Sequence, residues 1–144
     1  MPTLPEVVVA HRDDILGEWV LVQRDPAGLR DDRLGELDLA RDSQQFLDLF
    51  APALADDRSG EIGGPGWEPV RSFLSELARA RAAAGFSAAE AASFMFSLKQ
   101  PVFARLANEF QDDAVGLIAS ILETTEFVDQ LGLFMVDEYA KAAS

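Results

Sequence analysis

Few residues in this chain are equipped for chemistry. His11 is the one histidine and cysteine is absent, so neither a multi-histidine nor a thiolate metal site can be assembled. Ser87, Ser93, Ser97 and Ser120 have no histidine near them in sequence to serve as a base, and Ser87 already has a use as a helix cap. The acidic pairs Asp13-Asp14, Asp31-Asp32, Asp56-Asp57 and Asp112-Asp113 carry the donor type of a hard cation or of carboxylate catalysis. Adjacent residues on a helix point in different directions, however, and acidic residues at a helix start are favoured by the positive end of the backbone dipole. These pairs are read as solvated or dipole-related charge, and His11 as a partly exposed residue of the first helix.

The run Gly60-Glu61-Ile62-Gly63-Gly64-Pro65-Gly66 has the glycine density of a phosphate loop. It lacks the lysine followed by Ser or Thr, and the preceding strand, that such a loop requires. It reads as a surface linker. Acid–base, nucleophilic and metal catalysis all lack their parts. The expectation is a protein without enzymatic activity, catalytic residues, metal or cofactor.

The elements that would position any site are helical throughout. Thr3-Leu4-Pro5-Glu6 forms a capping box with proline where its missing N–H does no harm, and it opens a helix over about 5–23 that stops at Asp25-Pro26-Ala27-Gly28. Residues 29–41 alternate charges with leucines and suggest a short helix leading to a firmer one, from Asp42 through Phe46, Leu47, Phe50 and Leu54 to Asp56-Asp57. Another helix spans about 67–84 and ends at Gly85, which suits a left-handed C-terminal residue. Ser87-Ala88-Ala89-Glu90 is a second capping box, opening a helix through Phe94, Leu98, Val102, Leu106 and Phe110 that Pro101 should kink rather than divide. The last helix, about 113–142, would be roughly 45 Å long. With no alternating strand pattern and no internal repeat, the fold class is all-α: one domain over 1–144, a bundle of about five to six helices with a long C-terminal one.

Composition narrows the partners. The chain has 144 residues, 49% of them hydrophobic and 26% charged, which is enough to bury one ordinary core. A formal charge of −13, from 25 acidic against 12 basic residues, repels nucleic acid and anionic membranes alike. No apolar run reaches the ~20 residues of a membrane span and no signal peptide is visible, so the expected location is the cytoplasm.

The last two helices ask for company. Phe127, Val128, Leu131, Leu133, Phe134, Met135 and Val136 spread around nearly the whole circumference at about 100° per residue. Phe94, Met95, Phe96, Leu98, Val102, Phe103, Leu106 and Phe110 likewise exceed one stripe. Full enclosure by the chain's own helices is one solution, and an apolar cavity for an acyl chain or similar small ligand is another. The simplest is a second copy of the chain, with Phe94, Leu98, Phe103, Leu131, Phe134 and Met135 as candidate dimer-interface residues.

Two segments carry a resemblance. Gly85-Phe86-Ser87-Ala88-Ala89-Glu90-Ala91-Ala92-Ser93-Phe94-Met95-Phe96-Ser97-Leu98-Lys99, above all its Phe-Ser-Leu-Lys core, resembles the N-terminal domain of RsbR-family stressosome proteins. Val128-Asp129-Gln130-Leu131-Gly132-Leu133-Phe134, followed by Tyr139, is similar to the final helix of that family, and helix residues Ile15, Leu16 and Trp19 fit it too. The resemblance implies a globin-like fold without haem and a homodimer formed through this domain. It also implies a last helix leading to a STAS domain, with STAS-type scaffolds and an RsbT-like kinase as partners. The sequence stops at Ser144 just after that helix, so the expectation is a sensor domain without its STAS domain, or a stand-alone relative. Only Gly85, Phe86 and Ser87 separate two long helices, which leaves little room for a proximal histidine, and ligation by His11 alone is a poor basis for haem.

Overall fold

A computed structural model describes residues 2–24, 36–57 and 59–143. Among them are seven α-helices and no strand: α1 (Leu4–Ala10), α2 (Arg12–Arg24), α3 (Glu36–Asp56), α4 (Glu68–Ala83), α5 (Ala88–Phe96), α6 (Lys99–Glu109) and α7 (Ala114–Ala143). A 3₁₀ turn at Pro65–Trp67 precedes α4. The fold is all-α with a long C-terminal helix, as the apolar periodicity requires. The stretch expected to form a short helix over 29–41 lies partly outside the described residues; α3 begins at Glu36, earlier than the expected Asp42.

Both capping boxes form. The Thr3 hydroxyl accepts from the Glu6 N–H while the Glu6 carboxylate accepts from the Thr3 N–H at 3.1 Å. Ser87 and Glu90 reciprocate in the same way at 2.8 and 3.1 Å. Gly85 ends α4 with φ +88°, and the Phe86 N–H reaches back to the Arg81 carbonyl at 3.0 Å, closing the helix end.

Two expected helices are divided. The helix expected over 5–23 bends at His11, whose φ of −114° and ψ of 22° leave the helical region. The stiff run Val7-Val8-Val9 weakens the helix before that point, and Asp13 and Asp14 favour a fresh N-terminus after it. The expected single helix through Pro101 is likewise two helices rather than one with a kink, broken at Ser97–Leu98. Pro101 cannot bond the Ser97 carbonyl and its ring crowds that turn. Its place in the first turn of α6 needs no N–H, so a new start there costs less than a distorted continuation.

Aromatic contacts run through the core from α2 to α7. Trp19 meets Phe94 at 4.8 Å and Phe46 at 5.6 Å between ring centres, Phe46 stacks on Phe50 at 5.1 Å, Phe50 meets Trp67 at 5.9 Å, and Trp67 stacks on Phe127 at 5.0 Å. Such pairs each contribute about 0.5–1.5 kcal/mol beyond their buried area. The buried Arg81 guanidinium donates to Asp42 at 3.2 Å and lies over the Phe86 ring, so α3, α4 and the α4–α5 turn share one enclosed charge pair. No helix among the described residues is long and apolar enough to cross a membrane.

Candidate interaction surface

α7 packs against α4, α5, α6 and α1. Its start is fixed locally: the Asp113 carboxylate accepts from the Gly116 N–H at 2.9 Å, so one member of an acidic pair is a helix cap. The other acidic pairs have comparable duties where they are described. Asp13 pairs with Arg12, and Asp57, which accepts from the Ser59 N–H at 3.0 Å, has its carboxyl held below the usual range by the Ser59 hydroxyl and then by that N–H. His11 lies with Nε2 2.6 Å from Glu109 Oε1, joining the α1–α2 bend to the end of α6.

Beyond Glu123 the helix is buried along one face and tied at its sides. Thr124, Phe127, Val128, Leu131, Gly132 and Met135 are buried. Polar contacts fasten its sides: Lys99 pairs with Asp129 at 2.5 Å, and the Gln130 amide donates to the Gly60 carbonyl at 2.6 Å while accepting from the Ile62 N–H at 3.3 Å. Ser75 donates to Glu138 at 2.7 Å, and the Tyr139 hydroxyl donates to the Phe86 carbonyl at 2.5 Å. The glycine-rich run is thus docked on α7 by Gln130 rather than arranged around a phosphate; Arg71 holds its other side through the Ile62 and Gly64 carbonyls.

The two segments that carry the family resemblance meet in space. The Phe96 ring covers Gly132 so closely that a Cβ there would lie 2.4 Å from Phe96 Cε1 and Cζ. Lys99 lies over the Phe96 ring while pairing with Asp129. The Ser97 break is supported from α2, because the Trp19 indole N–H donates to Ser97 Oγ at 2.9 Å and to the Phe94 carbonyl at 3.2 Å.

The candidate interface residues are not on one surface. Phe94, Leu98, Leu131 and Met135 are buried in the chain's own core, while Phe103 and Phe134 are half-buried against it. The apolar residues that do face outward on α7 are others: Val115 is 79% exposed, Ile118 59%, Leu122 63% and Leu133 62%. Val115, Ile118, Ala119 and Leu122 follow helical i, i+3, i+4, i+7 spacing and make one stripe, while Leu117 and Ile121 turn back to the core. No charged residue interrupts Ala114–Leu122. The uncharged run Ala114–Leu122 was the available sequence signal for this stripe, masked by the greater aromatic content further along the helix.

Phe134 instead lines an open groove of about 510 Å³ between α4 and α7, together with Glu68, Arg71, Ser72, Ser75, Glu76, Arg79 and Glu138. That lining is dominated by charged and hydroxyl groups and does not suit an acyl chain. Glu138 has its carboxyl held below the ordinary range by the Lys141 ammonium and then by the Ser75 hydroxyl.

The sequence model of the family described as RsbT co-antagonist protein rsbRD N-terminal domain matches residues 13–144. No curated protein and no solved structure matches the chain significantly.

Proposed function

The chain belongs to the family of RsbT co-antagonist protein rsbRD N-terminal domains, and from that membership we propose a stressosome-type signalling domain that works through protein contact rather than catalysis. It forms a homodimer in the cytoplasm, as a single globin-like domain without haem, and passes a change in helix packing to STAS-type proteins and an RsbT-like kinase. The single observation that supports contact as its mode of action is the uncovered stripe Val115, Ile118 and Leu122 on α7. A soluble domain rarely leaves clustered large apolar side chains in water without a partner for them.

A signal would act by shifting a balance between two arrangements of that contact. Multi-angle light scattering across micromolar to high-micromolar concentrations tests the reading. Mass rising toward twice the chain's 15.7 kDa supports it, and a strictly monomeric species at every concentration overturns it.

A further inference from the structure

We propose that the groove between α4 and α7 binds a small zwitterion of the α-amino-acid type with a large apolar side chain, its carboxylate on Arg79, its ammonium on Glu76 and its side chain on Phe134. The site is separate from the exposed stripe of Val115, Ile118 and Leu122, and it does not depend on whether the chain forms dimers. The groove holds about 510 Å³, within the roughly 300–1,000 Å³ of small-molecule sites, and adjoins a smaller cavity of about 210 Å³ that shares Ser75, Arg79 and Glu138 with it. In a chain of net charge −13 the charges here balance: Arg71, Arg79 and Lys141 are matched by Glu68, Glu76 and Glu138.

Part of this lining is already engaged. Arg71 donates to the Ile62 and Gly64 carbonyls, and Lys141 pairs with Glu138, which also accepts from Ser75. Arg79 and Glu76 are not. Both line the groove three residues apart on α4, yet among the described residues neither side chain makes a hydrogen bond or an ion pair. Residues so spaced on a helix have Cβ atoms about 5–6 Å apart, so two opposite charges are neighbours that do not neutralise each other. A simple anion on Arg79 would have the field of the whole acidic chain against it, and a simple cation on Glu76 would leave Arg79 uncovered. A molecule carrying both charges close together completes both. The guanidinium fork takes a carboxylate through two parallel N–H donors, and an ammonium has donors for Glu76 and for the Ser72 hydroxyl one turn earlier in the same lining. Phe134, half-buried on α7, is the large apolar side chain of the groove, so the apolar part of the ligand belongs against it and the ligand bridges α4 and α7.

The test is a titration of the full, isotopically labelled chain with L-phenylalanine and L-leucine at millimolar concentrations, followed by NMR. Saturable shifts are expected at the amides of Ser72, Glu76, Arg79 and Phe134. Hydrocinnamate lacks the ammonium, phenethylamine lacks the carboxylate and glycine lacks the side chain, so each should bind about tenfold more weakly or worse. Arg79→Gln and Glu76→Gln, both at exposed positions, should each cost about tenfold in affinity for L-phenylalanine while the thermal midpoint stays within about a degree. Absence of a saturable shift with either amino acid overturns the proposal. So does binding that hydrocinnamate or phenethylamine matches, which would make this a one-charge or purely apolar site, and so does binding that survives both variants. A monomer that binds L-phenylalanine overturns the homodimer reading alone, and a dimer that does not bind it overturns this one alone.

Discussion

The two ends of α7 are built from similar residues and do opposite work. Ala114–Leu122 and the stretch from Thr124 to Met135 are both rich in large apolar side chains. The first presents Val115, Ile118 and Leu122 to solvent, and the second buries Phe127, Val128, Leu131 and Met135 among α4, α5 and the 3₁₀ turn. The second is also fixed by polar ties through Asp129, Gln130, Glu138 and Tyr139, whereas the first has Asp113 at its cap and no comparable side-chain tie from its outward face among the described contacts. Hydrophobicity alone therefore does not separate core from contact surface in this protein. Polar ties to neighbouring elements do, because they mark where the helix already has company.

Substitutions can break that contrast, the largest effect first. Leu131→Ala should cost about 2–5 kcal/mol of unfolding free energy in denaturant titration, since a cavity would open where a fully buried side chain packs. A cost below 1 kcal/mol would mean this stretch is not packed as described. Gly132→Ala should cost about 1–3 kcal/mol by driving the Phe96 ring off the helix. In a Phe96→Ala background the same change should become neutral or stabilising, because alanine is better than glycine in a helix by about 1 kcal/mol. If the two substitutions were simply additive, the contact between the family segments would not be what constrains this position.

The pH prediction sharpens the same comparison. Glu138 has its folded carboxyl held below the ordinary value of 4.5, so its contribution is present above that value and is lost as pH falls through the depressed one. Ser75→Ala should therefore lower the thermal midpoint at neutral pH slightly and converge with the parent chain at acid pH; a difference that grows on acidification would contradict the assigned tie. The smallest effect on stability belongs to the open stretch. Ile118→Ser should leave unfolding free energy within about 0.5 kcal/mol of the parent chain. A loss of several kcal/mol in a dilute monomeric sample would show that Ile118 is core after all.

Much of the fold could be read from local chemistry. Thr3, Ser87 and Gly85 mark helix ends because a hydroxyl accepting from an N–H, or a residue without a Cβ, satisfies those ends within a few residues of chain. The extent of α7 was equally legible. So was the family, through Phe96-Ser97-Leu98-Lys99 and Asp129-Gln130-Leu131-Gly132-Leu133-Phe134, and the match over 13–144 bears that reading out. The break at Ser97 was not, because what makes it affordable is the Trp19 indole arriving from far away in sequence.

The sequence by itself determined where helices start and stop, that the last of them is apolar on too many sides for a simple surface helix, and which family the chain joins. Only the tertiary structure decided which of those sides is covered. A helical period says which residues share a face, but the face's neighbour is chosen by packing among elements distant in sequence. That choice enclosed Leu98, Leu131 and Met135 and left Val115, Ile118 and Leu122 in water.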